Sequence, residues 1–448
     1  MKRLLFLLWL FCSANLHAQD ISGEWYAYPD LKTHRLRLQL ELTTDGGRLA
    51  ATLRIPDQSD RIYSATRATL ENGILDLDFP DAQMACRGRV ESGERIAGTL
   101  SQDGYAFELL FTRQPVLFRR PQTPQPPFPY TSEEVRFRNP EAGITLAGTL
   151  TLPASSTPSM AVVLISGSGA QDRDNTFFEH KTFWVMADCF ARHGIAVLRV
   201  DDRGTGASEG DFDASGLPDH DTDAQAALAY LRSRPEIDTA RIGAIGHSEG
   251  AFIAFSLAAR QEVDFIVTMA GGGVNGSELL LMQRAALLRA SGAKEEFITR
   301  YNDYMRRAQE VVLQTADAAA CERRLAELFA GSDLAGQAPA ITKQLYNTAK
   351  IELLKYDPEW DFPEITCPVL ALNGDKDRQV PVENLALIEK GIAGNGNPAV
   401  TAITYPGLNH MFQTAGSGLP VEYSDLEETI FPKVLEDMVA WMKQLSIP

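Results

Sequence analysis

Residues 246–250 read Gly-His-Ser-Glu-Gly. The pentapeptide follows the apolar run Ile242–Ile245 directly and runs straight into the helical stretch Gly250–Arg260. A strand that becomes a helix without a connecting loop must turn sharply. Side chains at both flanks of such a turn would clash, which explains glycine at 246 and 250. The turn also lifts Ser248 to a helix N-terminus, where the positive end of the dipole favours developing negative charge. G-x-S-x-G strings arise by chance, but one set between a strand and a helix predicts an α/β sheet that presents an activated serine.

The surrounding pattern agrees. From about Tyr130 onward, Ala161–Ile165, Ile195–Val200, Ile242–Ile245, Phe265–Met269 and Val369–Leu372 are short apolar runs of the kind buried on both faces of a parallel sheet. His180–Arg192, Asp221–Arg234 and Gly250–Arg260 alternate with them as helices, and Val135–Phe137 with Ile144–Leu152 reads as an opening hairpin. The spacing predicts a doubly wound, mostly parallel α/β domain over residues 131–448. One interval breaks the rhythm. Residues 276–356 hold no convincing strand but several amphipathic helices, among them Leu279–Leu288 and Glu296–Leu313, so a helical cap over the carboxyl edge of the sheet is predicted.

Residues 19–118 follow another rule. Leu36, Leu38, Leu40 and Leu42 alternate with polar residues, and Asp45-Gly46-Gly47, Asn72-Gly73 and Asp103-Gly104 mark turns between strand-like runs. About eight short strands without helical period predict an antiparallel meander closed, or nearly closed, as a small barrel. Gly23-Glu24-Trp25 opens it, with Trp25 expected to plug the barrel end. Five prolines between Pro121 and Pro129 then predict an extended linker over 119–130.

Lys2 and Arg3 ahead of Leu4–Leu10, with Ala18 before Gln19, follow the plan of a secretory signal over residues 1–18. The apolar run is too short to anchor the chain stably in a bilayer, so a periplasmic or secreted protein is expected. The formal net charge of −17, or −19 without the leader, argues against nucleic acid and anionic lipid as partners. Cys86, Cys189, Cys321 and Cys367 are far apart, lack CxxC spacing and sit among apolar neighbours, so four buried thiols are expected rather than a metal or redox site, with one disulfide in an oxidising compartment as the alternative. With no HExxH and no Walker-type loop, no metal or organic cofactor is implied.

A serine nucleophile needs a base, and histidine is the usual one. Of seven histidines only His410 follows Ser248, in a loop just past the strand expected at Ala399–Thr404. The Ser–acid–His order that accompanies this elbow makes His410 the base by elimination, and leaves His247 to pack under the turn. Ten aspartates follow Ser248, but only Asp375 and Asp377 closely follow a strong strand, Val369–Leu372. Spacing hardly separates these two. Two backbone N–H groups should complete an oxyanion hole: Glu249, next to the nucleophile, and Ser168, with Gly169 as the alternative, in Ser166-Gly167-Ser168-Gly169. Asp201-Asp202-Arg203 reads as a brace of ion pairs for neighbouring loops.

Together Leu164–Gly169, Asp201–Ser208, Gly246–Gly250, Gly374–Asp377 and Asn409-His410 make residues 130–448 resemble the α/β-hydrolase superfamily. The resemblance is to secreted bacterial serine esterases related to serine-aminopeptidase and prolyl-oligopeptidase-like hydrolases. It implies a Ser248–Asp377–His410 triad, because the family's acid ends a G-x-x-D pattern, which here is Asp377. It also implies cleavage of small-molecule carboxylic esters, with peptidase or amidase activity as the alternative. Position 166 departs from the family in carrying Ser where many relatives carry His. An acyl-CoA thioesterase is disfavoured by export, and a dehalogenase by serine in place of aspartate at 248. The remaining alternative, an inert hydrolase domain behind a ligand-binding barrel, fits poorly with an intact triad.

Overall fold

The computed structural model describes residues 20–445 apart from 32–34, 47, 58 and 103; the expected signal segment lies outside them. The chain forms two compact units that meet between Leu117 and Phe118.

The first unit is a nine-stranded antiparallel meander running from Gly23–Ala27 to Tyr105–Thr112. Its first strand pairs both with the second and, through Tyr26 and Thr112, with the last, so the sheet curls round. The circle stays open between its end strands, Ser59–Ser64 and Arg67–Glu71. The leucine alternation does its work: Leu36, Leu38, Leu40 and Leu42 are all buried. The strand proper begins only at Leu38, because Asp57 takes both the Arg37 backbone N–H and its guanidinium. Trp25 is fully buried, donates from Nε1 to the Ile21 carbonyl at 2.7 Å and carries the Arg113 guanidinium 3.8 Å above its ring.

The second unit is built on an eight-stranded sheet. In spatial order its strands are Tyr130–Asn139, Ile144–Pro153, Ala196–Val200, Ser159–Ile165, Ile237–His247, Phe265–Met269, Val369–Gly374 and Val400–Tyr405. The first two pair antiparallel with their neighbours and the rest are parallel. This is the α/β-hydrolase fold. From Ser159–Ile165 the chain passes first to one neighbour, Ala196–Val200, and then back across to the other, Ile237–His247. The loops after Ile165 and His247 therefore open at a switch point, where α/β sheets bind ligands. The inner strands are buried on both faces, with helices packed on each side.

Two helix starts differ from the sequence pattern. One helix begins at Thr182, after a small hairpin pairing Thr176–Phe177 with His180–Lys181. Another begins at Leu217, where Pro218 sits in the first turn and Asp219 accepts from the Gly216 N–H at 3.1 Å. Near the unit's start, Arg120 donates to the carbonyls of Phe178, Ser424 and Leu426, and Gln122 bonds Thr429 and Ile430. The side chains of Arg120 and Gln122 thus tie the proline-rich segment to the rest of the second unit.

Between Met269 and Val369 the described chain has no strand. It forms five α-helices: Gly276–Ala290, Glu295–Leu313, Ala318–Phe329, Ala338–Leu345 and Thr348–Lys355. Asn275, Asp317 and Asn347 cap three of them through side-chain oxygens. Met305, Val312, Leu325, Phe329 and Leu345 give the cap a core of its own.

Candidate active site

The elbow has the geometry that its sequence demands. Ser248 lies at φ +54°, in the left-handed region that a serine rarely adopts, and its backbone N–H donates to the Met269 carbonyl at 2.8 Å. A Cβ at 246 would come 2.2 Å from the Gly250 carbonyl oxygen, and one at 250 would come 2.5 Å from those of Ile165 and Ser166. Both glycines are needed by contact.

Asp377 and His410 come together. The buried Asp377 carboxylate accepts from His410 Nδ1 through Oδ2 at 2.8 Å, and from the N–H groups of Gln379 and Val380 through Oδ1 at 2.7 and 2.8 Å. Asp375 is exposed and turned elsewhere: its Oδ1 accepts from the Gly407 N–H at 2.7 Å, bracing the loop that leads to His410. A turn separates the two carboxylates, closed by the Asp377 N–H on the Gly374 carbonyl. Close packing of Gly374 on Leu408 holds the acid's loop against the histidine's loop, since a Cβ at 374 would lie 2.1 Å from the Leu408 oxygen. His247 is buried beneath, its Nε2–H donating to the His410 carbonyl at 3.0 Å. Burial, with the neighbouring His410 imidazole, pushes its pKa down to about 3, so it is a neutral support. Ser248 and His410 line one cavity, yet no hydrogen bond joins them among the described contacts; unliganded sites are often looser than their complexes.

Gly167 packs against the nucleophile, where a Cβ would be 3.0 Å from that of Ser248. Beside it, Ser168 donates from Oγ to Glu249 at 2.6 Å. Among the described contacts neither the Ser168 nor the Glu249 backbone N–H donates to a protein acceptor. The loop carrying Ser168 is gripped at both ends by Asp202, which accepts from Ser166 Oγ at 2.8 Å and from the Gln171 N–H at 2.9 Å. Among the described residues no cation pairs with Asp202, so the ion-pair brace is confined to its neighbours, Asp201 with Arg173 and Arg203 with Asp219 and Asp223. Burial, aided by the charges of Asp223 and Asp201, pushes the Asp202 carboxyl up to about 7 against its two hydrogen bonds.

The cavity holds about 280 Å³. Leu279, Leu280 and Gln283 reach it from the first cap helix, and Lys350 and Leu353 from the last. Pattern reading missed these residues, together with Gln171, Asn175 and Phe177 in the loop after Ser168 and Gln379 after the acid. The four described cysteines are unpaired, and only Cys86 and Cys321 are fully buried. Among the described residues no group of three or more His, Cys, Asp or Glu side chains could hold a metal.

Residues 142–395 match the family described as X-Pro dipeptidyl-peptidase (S15 family), and residues 353–446 match the dienelactone hydrolase family. Among curated proteins, esterase EstD of Thermotoga maritima is 26% identical over 298 residues, 66% of this chain and 65% of the relative, so the match spans less than two thirds of that protein. Among solved structures, an α/β hydrolase from Penicillium aligns with a TM-score of 0.46 at 16% identity, covering 70% of this chain and 98% of its own. An esterase from Pyrococcus furiosus aligns with 0.43 at 14% identity, covering 73% and 97%. With more than half of its length matched, the chain belongs to the α/β-hydrolase superfamily, within the family described as X-Pro dipeptidyl-peptidase (S15 family).

Proposed function

We propose that the protein is a carboxylic ester hydrolase that forms an acyl-enzyme on Ser248. One observation carries the reading: His410, bonded to the buried Asp377, lines the same cavity as a serine held at positive φ. Ser248 Oγ attacks the ester carbonyl while His410 takes its proton, and the amides of Ser168 and Glu249 hold the oxyanion. The tetrahedral adduct collapses, the alcohol leaves with the proton from His410, and water then releases the acid by the same steps. Asp377 fixes the imidazole with its Nδ1–H on the carboxylate and Nε2 left to take the serine proton, and stabilises the imidazolium. The similarity to a protein named an esterase supports ester over amide cleavage.

The family description favours a second reading, a peptidase. It would need an acid for the substrate's amino terminus, and Glu249 is the acid lining the cavity. A panel of p-nitrophenyl esters run beside aminoacyl-anilides separates the two. Ser248→Ala should lower ester turnover by roughly 10⁴–10⁶-fold and abolish labelling by a fluorophosphonate. Retained labelling in the folded variant would move the nucleophile elsewhere. We also propose export through residues 1–18, tested by finding the protein outside the cytoplasm with Gln19 as its first residue.

A further inference from the structure

The cavity beside Ser248 has two different walls. Phe252, Leu279, Leu280 and Leu353 make one side apolar. The loop after Ser168 makes the other, and it contributes Gln171, Asn175 and Phe177.

Asn175 stands out on this wall. It is 5% exposed, and with no hydrogen bond to its side-chain carboxamide among the described contacts, what remains of its surface opens on the cavity. A carboxamide can make up to four hydrogen bonds, and one that opens on the cavity can give them to a ligand. Other side chains hold it there. Asp172 accepts from the N–H groups of Asp174 and Thr176, Arg173 is paired with Asp201, and Arg199 with Asp174. The Asn175 backbone N–H donates to the Asp172 carbonyl, so the backbone at the loop's tip is fixed while the Asn175 side chain faces the cavity. Gln171 presents a second carboxamide to the same cavity, with no protein partner among the described contacts and its backbone pinned by Asp202. Phe177 is 37% exposed, with its ring edge-to-face on Phe178 at 4.5 Å and on Tyr423 at 6.0 Å.

Carboxamides are neutral and both donate and accept, as hydroxyl groups do. Two of them beside a firmly packed ring suit a compact ligand with several hydroxyls on its edge and a C–H face to lie on the aromatic surface. This wall carries no cation, the cavity's Lys350 coming from the last cap helix with Leu353, and a plain alkyl group would leave both carboxamides without partners. A volume of about 280 Å³ sits at the small end of ligand sites, room for one ring and a short acyl chain rather than an extended peptide. Resting on the esterase reading, we propose that the alcohol half of the substrate is a polyhydroxylated, carbohydrate-type ring, bound by Asn175 and Gln171 against Phe177, with a short acyl group on the apolar wall.

The test compares kcat/KM for a monoacetylated methyl pentopyranoside with that for cyclohexyl acetate, which matches it in ring size and lacks the hydroxyls. p-Nitrophenyl acetate serves as the activated reference. The full-length protein should favour the sugar ester by about 100-fold or more, because a site built to bond hydroxyls rejects an analogue lacking them. Asn175→Gly removes the carboxamide and tolerates the φ of +52° found there. It should shrink the sugar-to-cyclohexyl ratio by roughly 10–100-fold, and Gln171→Ala should shrink it as well if the glycine variant fails to fold. A wild-type ratio near one, or folded variants that leave the ratio unchanged, overturns the proposal. So does a better turnover of dipeptidyl anilides than of the sugar ester. Failure of the esterase reading would look different: neither p-nitrophenyl acetate nor any other ester would be cleaved.

Discussion

Replacing Asp202 by Asn should stabilise the protein at alkaline pH and flatten the dependence of its stability on pH. Enclosure pushes the Asp202 carboxyl from its ordinary 3.8 to about 7. A raised carboxyl pKa means that the folded state holds a proton which the unfolded chain has already released between these values. Stability therefore falls as pH rises from about 4 to about 7, and the whole cost is present above 7. At 1.36 kcal/mol per unit the cost reaches about 4 kcal/mol, of which more than half develops between pH 5 and pH 8. Asp202 keeps some solvent access through a small cavity of about 50 Å³, so these are upper figures. Asparagine can keep both contacts: its Oδ1 accepts from the Gln171 N–H, and its Nδ2 donates to Ser166 Oγ, whose hydroxyl is free to turn. Urea unfolding of both proteins at pH 5, 6.5 and 8 measures the effect as a midpoint difference that grows with pH at constant m. Ester turnover should stay within about threefold, whereas Asp202→Ala frees both ends of the loop and should cost roughly tenfold or more. Parallel stability profiles for wild type and Asp202→Asn, or a variant less stable at pH 8, would refute the reasoning.

Asp377→Asn should cut turnover by about 10⁴, because the imidazole loses its tautomer, while Asp375→Asn should cost less than about tenfold because it loosens only Gly407; the reverse ranking at neutral pH would transfer the acid's role to Asp375. Gly374→Ala drives a Cβ into the Leu408 carbonyl and should destabilise by roughly 1–3 kcal/mol while spreading Asp377 from His410. Unchanged melting and activity would show that the two loops yield freely. Residues 118–448 expressed alone should fold and cleave p-nitrophenyl acetate, since every proposed catalytic group lies within them. A folded but dead fragment would show that the first unit completes the site.

The parts of the fold legible in sequence are those where one physical demand acts on every second or fourth residue. Leu36–Leu42 alternate because one face of a curled sheet is dry, and Ile242–Ile245 are continuously apolar because a central strand is covered twice. Element ends were less legible. They depend on single side-chain events such as Asp57 holding Arg37 or Asp219 capping Gly216, and nothing periodic announces these. The proline-rich segment shows the same limit. Its composition predicts extension, but the contacts of Arg120 and Gln122 with carbonyls some three hundred residues away decide that it is tied down.

The candidate site divides along the same line. Ser248 could be found because its backbone strain needs glycines at fixed offsets, and His410 because the topology leaves one histidine after it. Asp375 and Asp377 could not be separated by spacing, since the distinction lies in a turn that sends one carboxylate to Gly407 and the other to His410. Serine at 166 is accounted for only when Asp202 is seen beneath it, gripping through a hydroxyl the loop that presents Ser168. The wall bearing Asn175 left no trace in the pattern at all. Its shape comes from ion pairs that cross between elements, Arg173 with Asp201 and Arg199 with Asp174, and only the aspartate of the first pair belongs to a recognisable motif. Residues that perform the bond-breaking step must occupy backbone positions the fold prescribes, so they leave fixed offsets in the sequence. Residues that choose the substrate need only reach the cavity, from whatever loop ends there, and so they become visible through the lining of the folded cavity rather than through a motif.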